Sequence, residues 1–234
     1  MRIIRNERRI RTFSLIGQYA PLGGILTLAA GLVISFVKPE WIVPMFASIA
    51  LGYSLTVVGG FFADRYLGRL AHHDVLVAAL KGLDDSHVLF QYVLPASHVL
   101  VDPGGCTVFV IKAQGGEVIC REDGRWRHHQ RGKFFRQFAG QESVGAPHFE
   151  AERQVRKMER WLAKQLPDVE VPVRAVIVFV NPDVTLDVDA SPAPTFYGKK
   201  VKSWLRGPGK RKGLPDAVRR QLAEALDVDQ SRDA

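Results

Sequence analysis

SHVLVDPGGCTVFVIKAQGG, residues 97–116, is the stretch whose reading decides the fold. Two mostly apolar runs, residues 98–101 and 107–113, flank Asp102-Pro103-Gly104-Gly105, whose glycines permit the positive φ of a tight reversal. The pattern predicts a β-hairpin. Side chains alternate along the second strand, which puts Val108, Val110, Lys112 and Gln114 on one face and Phe109, Ile111 and Ala113 on the other. A lysine and an amide therefore stand side by side where an apolar strand ends. Ser97 and His98 are adjacent and face opposite sides, so they cannot work together as nucleophile and base.

Working outward, residues 88–94 read as a preceding strand, and Gly115-Gly116 turns into a strand at residues 117–121. Asp123-Gly124 is a two-residue hairpin signal before residues 125–128, giving an antiparallel meander of about five strands. The period then changes. Pro147 suits a first helical position, and Ala151, Val155, Met158, Leu162 and Leu166 form an apolar stripe at helical spacing up to Pro167. VPVRAVIVFV, residues 171–180, reads as a buried strand closed by Asn181-Pro182. Short helices are expected at residues 195–205 and 215–226, with a frayed end at 227–234, and a leading helix at 66–83 that carries His72, His73 and Asp74 on a solvated face. A meander followed by helix and apolar strand indicates an α/β fold, a mixed sheet flanked by helices.

The residues Leu94-Pro95-Ala96-Ser97-His98-Val99-Leu100-Val101-Asp102-Pro103-Gly104-Gly105, with Val108-Phe109-Val110-Ile111-Lys112-Ala113-Gln114 and Gly116, resemble the core motif of the nuclease-related domain (NERD) family. The resemblance spans roughly residues 68–205 and implies a restriction-endonuclease-like mixed sheet. In that family an Asp precedes the His, the strand after the glycine turn ends in Glu-x-Lys, and an Asn-Pro-x-x-Gln segment opens a later helix. Here the corresponding positions are Ser97, Lys112, Gln114, and Ala146 and Glu150 around Pro147. Scaffold residues match and chemical ones do not.

Phosphodiester hydrolysis of this type holds Mg²⁺ on hard oxygen ligands, which polarise the phosphate and acidify an attacking water. The family's two carboxylates and one lysine carry a formal −1, whereas Ser97, Lys112 and Gln114 carry +1. Like unit charges near 4 Å repel by about 4 kcal/mol at an effective dielectric of about 20. The substitutions therefore point to a non-catalytic domain without a metal or other cofactor. The alternative is an active divalent-metal-dependent nuclease, using Mg²⁺ on Glu150 with a relocated carboxylate such as Asp102 or Glu117. No phosphate-binding Gly-x-x-x-x-Gly-Lys-Ser/Thr loop, dinucleotide-binding Gly-x-Gly-x-x-Gly or His-Glu-x-x-His is present.

Ahead of this domain, residues 13–37 and 41–63 contain no charged residue, and each is long enough to cross a hydrocarbon core of about 30 Å as a helix. Lys38-Pro39-Glu40 leaves only a short turn between them, so a two-helix transmembrane hairpin at residues 13–63 is expected, with Gly23, Gly24, Gly31, Gly52, Gly59 and Gly60 available for close helix approach. A cleaved signal peptide is the competing reading of the first run, and its length argues against that. Arg2, Arg5, Arg8, Arg9 and Arg11 precede the spans and Arg65 and Arg69 follow them, whereas the turn carries only Lys38. Both termini are then expected on the cytoplasmic side of a bacterial-type inner membrane, with Trp41 at the outer interface. In that reducing compartment Cys106 and Cys120, placed on neighbouring strands, should remain free and buried.

The expected organisation is a basic tail at residues 1–12, the hairpin, a nuclease-related domain at 66–205, and a basic tail with a short helix at 206–234. The net charge of +8 divides into +4 on residues 1–12, −1 on 13–198, +8 on 199–220 and −3 on the rest. The basic C-terminal segment suits anionic lipid headgroups or nucleic-acid phosphates. Lys112, Arg121, Arg125, Arg127, Lys133 and Arg136, interleaved with Trp126, Phe134, Phe135 and Phe138, are the candidate nucleic-acid-binding residues, stacking and neutralising by turns. A meander edge with aromatic core residues is the simpler reading of the same stretch. Nucleic acid or a protein partner, bound at the inner membrane face, is the function this implies.

Overall fold

A computed structural model of the chain describes residues 1–132 and 141–232, with side chains through residue 226. The described residues divide into two compact units, residues 1–7 with 73–129 and 144–232, and residues 8–72 with 130–132 and 141–143.

The first unit is a mixed α/β layer structure. Nine strands are β1 (Arg2–Arg5), β2 (Val88–Gln91), β3 (His98–Asp102), β4 (Gly105–Lys112), β5 (Gly116–Cys120), β6 (Trp126–His129), β7 (Val173–Phe179), β8 (Val184–Asp187) and β9 (Thr195–Tyr197). Its helices are α3 (His72–Leu80), α4 (Pro147–Gln165), α5 (Gly198–Arg206) and α6 (Asp216–Arg232). The main sheet has the order β1-β2-β3-β4-β7-β9, and a three-stranded sheet has the order β6-β5-β8. Within the main sheet β3 alone runs against its neighbours, so β1, β2, β4, β7 and β9 all end at one edge.

The predicted hairpin forms between β3 and β4. Asp102 pairs with Gly105, the Asp102 carboxylate accepts the Gly104 N–H at 2.7 Å, and Gly105 has φ +119°. A Cβ on Gly105 would lie 2.5 Å from the Pro172 carbonyl, so the position excludes other residues on two counts. Every residue of β4 is buried, as a strand flanked on both sides and covered on both faces must be. On one face Phe90, Val99 and Val108 pack with Met158 and Leu162 of α4 and Leu222 and Leu226 of α6. On the other side of β7, Gly198 of α5 approaches Val178 and Ala79.

Several expectations change. The five-strand meander breaks after β4, because the chain turns at Gly116, φ +87°, and β5 and β6 leave to join β8. Cys106 and Cys120 therefore lie in different sheets, both free and buried; burial pushes the Cys106 thiol up to about 12. The helix expected over 66–83 is interrupted at Gly68, φ +74°, and restarts as α3. Its His72 and His73 are buried, not solvated, whereas Asp74 is exposed. Residues 195–197 form strand β9 before α5, and α6 continues to Arg232 where fraying was expected.

The start of the expected N-terminal tail and the C-terminal segment are built into the sheet unit. Arg2–Arg5 is an edge strand parallel to β2, with Ile4 against the core and the Arg5 guanidinium donating to the Gln91 side chain at 2.6 Å. The C-terminal segment is clasped by Arg211, which donates to the carbonyls of Cys106 and Pro172 at 3.1 and 3.2 Å and pairs with Asp102 at 3.0 Å. Leu214 N–H closes onto the Pro103 carbonyl at 2.7 Å. Burial of Leu222 and Leu226 in the core is what holds this segment; charge alone made it look like a tail.

The second unit contains α1 (Glu7–Val37) and α2 (Ile42–Tyr66), two helices long and apolar enough to cross a membrane. Their contact runs through glycines at sevenfold spacing, Gly17, Gly24 and Gly31 on α1 and Gly52 and Gly59 on α2. A Cβ at Gly17 would lie 2.7 Å from the Ala63 backbone nitrogen, and one at Gly52 would lie 2.8 Å from the Gly24 carbonyl. Close backbone approach of this kind is how small residues pair helices where no hydrophobic drive is available. Gly23, by contrast, faces open space.

Candidate functional site

At the shared edge where β4 and β7 end, two of the candidate positions, Lys112 and Glu150, meet. Lys112 is the last residue of β4, opposite Phe179 of β7, and the Val180 N–H donates to its carbonyl at 3.0 Å. Alternation carries its side chain to the α4 side, and Glu150 meets it from the first turn of that helix. Lys112 Nζ lies 2.8 Å from Glu150 Oε2, with the lysine side chain 4% and the glutamate 21% exposed. Glu150 is doubly favoured, by the ammonium and by the positive end of the helix dipole.

The residues around the pair hold the geometry. Pro147 starts α4, and its N-cap, Ala146, has no side-chain acceptor for the first N–H groups of the helix. His148, buried in the first turn, accepts a hydrogen bond from Trp126 Nε1 at its Nδ1, 2.9 Å away, which leaves the proton of a neutral imidazole on Nε2. The Trp126 ring stacks on Phe179 with centroids 6.5 Å apart. Beneath them Val110, Val118, Val144, Ala151, Ile177 and Phe179 form an apolar cluster joining the small sheet to β4, β7 and α4. The segment after Lys112 is clamped from two sides: Asn181 Nδ2 donates to the Ala113 carbonyl at 2.9 Å, and His128 Nε2 donates to the Gly115 carbonyl at 2.8 Å. Gln114 is buried within this frame.

Ser97 is partly buried just ahead of β3, and its carbonyl accepts the Tyr92 N–H at 2.7 Å. Tyr92 is held at φ +61°, an unfavourable conformation for a bulky side chain that marks a tightly determined turn.

With Glu150 engaged, Ser97, Lys112, Gln114 and Glu150 carry no net charge, where the first three alone carry +1. A divalent cation would thus have to displace a buried ammonium from a half-buried carboxylate. The other acids considered as ligands are elsewhere. Asp102 is at the opposite end of β4, bound by Arg211 and Gly104, and Glu117 lies on β5 between His129 and Thr185. Among the described residues no three of His, Cys, Asp and Glu gather as a metal-binding group.

Arg121, Arg125 and Arg127 are exposed on and beside β6, where the strand turns Trp126 and His128 inward. Arg125 is 3.5 Å from Asp123, and Ile119 separates Arg127 from Asp187 across the small sheet. Lys133 and Arg136, with Phe134, Phe135 and Phe138, lie outside the described residues. Lys112 is buried in its ion pair and does not share a surface with these arginines.

Sequence reasoning did not single out His148 or the Trp126–His148 bond. A histidine after a helix-opening proline carries no local signal; only the packing of two segments 22 residues apart makes it a partner. Residues 67–180 match the family model of the nuclease-related domain. No curated protein and no solved structure matches the chain.

Proposed function

Proceeding from a nuclease-related domain at residues 67–180, we propose that the chain is a membrane-anchored binding protein whose domain has lost phosphodiester hydrolysis and retains attachment to nucleic acid. The observation that carries this reading is the Lys112–Glu150 ion pair, 2.8 Å long, at the edge where the family's motif would hold a metal. An ammonium in that place removes one ligand by substitution and occupies a second by pairing. What remains is a rigid scaffold. The two long apolar helices support anchorage in a bilayer, and the clustered arginines flanking them support termini on the cytoplasmic side. Arg121, Arg125 and Arg127, exposed outside the site, supply the phosphate contacts.

The test uses the full chain in detergent, incubated with linear and nicked DNA and with RNA in the presence of Mg²⁺ or Mn²⁺. No divalent-dependent cleavage is expected, together with retention on DNA that weakens as salt is raised. Combined Arg121→Gln, Arg125→Gln and Arg127→Gln should reduce retention and flatten its salt dependence. Cleavage that requires the metal and vanishes in Glu150→Gln would establish an active nuclease with relocated ligands instead. Absence of any retention on DNA or RNA would leave a protein partner as the bound species.

A further inference from the structure

At the opposite end of β4 lies a second polar construction, where residues 204–213, beyond the family-matched range, close on the start of that strand. GPGKRKG, residues 207–213, closes over the β3–β4 turn. Arg211 reaches inward to Asp102 and donates to the Thr107 hydroxyl at 3.2 Å. Arg174 donates to the same hydroxyl at 3.0 Å and to the Gly209 carbonyl at 2.6 Å, with its guanidinium over the Trp204 ring. Gly209 is itself pressed on that ring; a Cβ there would stand 2.6 Å from it. Arg211 alone pairs with the Asp102 carboxylate, while Arg174 is held by a hydroxyl, a carbonyl and an aromatic face, so the cluster carries two guanidinium groups against one carboxylate. Burial and the nearby Arg211 push Arg174 down to about 10, so it stays charged at neutral pH.

Beside this cluster is a cavity of about 300 Å³. Its charged and titratable lining consists of Arg206, Lys210, Arg211, His87, Asp84 and Asp102. Asp102 is committed to Arg211. Asp84 is committed to Ser86 and to His87 Nδ1, 2.8 Å away, and these hydrogen bonds hold its carboxyl at about 2. The remaining wall includes Gly104, Gly209 and Gly213; Gly104 and Gly209 already donate their N–H groups to the Asp102 carboxylate and the Trp204 carbonyl, so recognition falls to the side chains. The cavity therefore sets Arg206, Lys210 and Arg211 against the carboxylates of Asp84 and Asp102, an excess of one positive charge with His87 neutral, and Arg206 and Lys210 are its exposed cations.

We propose that this cavity binds a phosphate group, whether of a soluble phosphate ester or of an anionic lipid headgroup. The site is independent of the nuclease-related edge, and neither reading depends on the other.

Calorimetric titration of inorganic phosphate into the full chain in phosphatidylcholine nanodiscs, at fixed chloride, tests it. A saturable heat is expected, weakened at least fivefold by Lys210→Gln or Arg206→Gln, both exposed positions, and unchanged by Lys164→Gln on the surface of α4. Repeating the titration in nanodiscs containing phosphatidylglycerol separates the sources. Loss of the phosphate heat there identifies the lipid headgroup as the occupant, and persistence identifies a soluble phosphate. No saturable heat in phosphatidylcholine, or equal affinity in both Lys210→Gln and Arg206→Gln, overturns the proposal.

Discussion

Lys112 and Glu150, 38 residues apart in sequence, form an ion pair in which the ammonium is almost wholly removed from water. Desolvating two charges is expensive, and their mutual attraction offsets that cost only while both are present. The pair is a structural commitment as well as a chemical one.

Glu150→Gln should therefore destabilise the sheet unit by about 3–5 kcal/mol, the usual cost of stranding a buried charge. Lys112→Met with Glu150→Leu should recover at least half of that loss. Denaturant unfolding of the single and double variants measures the coupling. The combined change Ser97→Asp, Lys112→Glu and Gln114→Lys should in addition create Mn²⁺ binding detectable by calorimetry, since it places two carboxylates beside Glu150. Absence of a binding heat in the folded triple variant would mean that the frame around the site has also changed.

The C-terminal segment should behave as core. Leu222→Ala removes a side chain that is 3% exposed and packed with Phe90 and Met158, and should cost about 2–5 kcal/mol. Arg220→Ala, on the exposed side of the same helix, should stay within about 0.5 kcal/mol. Equal stability of the two variants in urea would restore the reading of this segment as a tail.

His73 gives a signed pH dependence. Burial holds its pKa below the ordinary histidine value; the Arg5 charge adds to this, and Asp74 and Glu7 oppose it. Its ring also faces Tyr92 edge-on. As pH falls below about 6.5 the unfolded chain takes up a proton that the folded chain resists, so stability falls in that window and is fully present above it. His73→Asn should lessen the loss of stability between pH about 7 and about 5, measured by thermal unfolding. An unchanged slope would show that His73 protonates without penalty.

In the helical hairpin, Gly17→Leu should lower the unfolding temperature in detergent, because even its Cβ meets the Ala63 backbone at 2.7 Å; overpacking of this kind costs about 1–3 kcal/mol. Gly23→Leu, in open space, should not. A similar loss from both would indicate that glycine content, and not the close contact, matters.

Read by itself, the sequence determined what is periodic and local. The β3–β4 hairpin, the apolar stripe of α4, the buried run of β7 and the two long apolar helices are each set by spacing within one element, where side-chain direction follows from backbone geometry. The burial of Lys112 and Gln114 at the end of an apolar strand was legible for the same reason. Only the tertiary structure decided which element each surface meets. Four residues at the start of the chain become an edge strand by pairing with residues 86 positions later, and Arg211 clasps Asp102 across 109 positions. Glu150 neutralises Lys112 because a helix start and a strand end converge. Such contacts depend on burial and charge pairing between distant segments, and no periodicity along the chain encodes them.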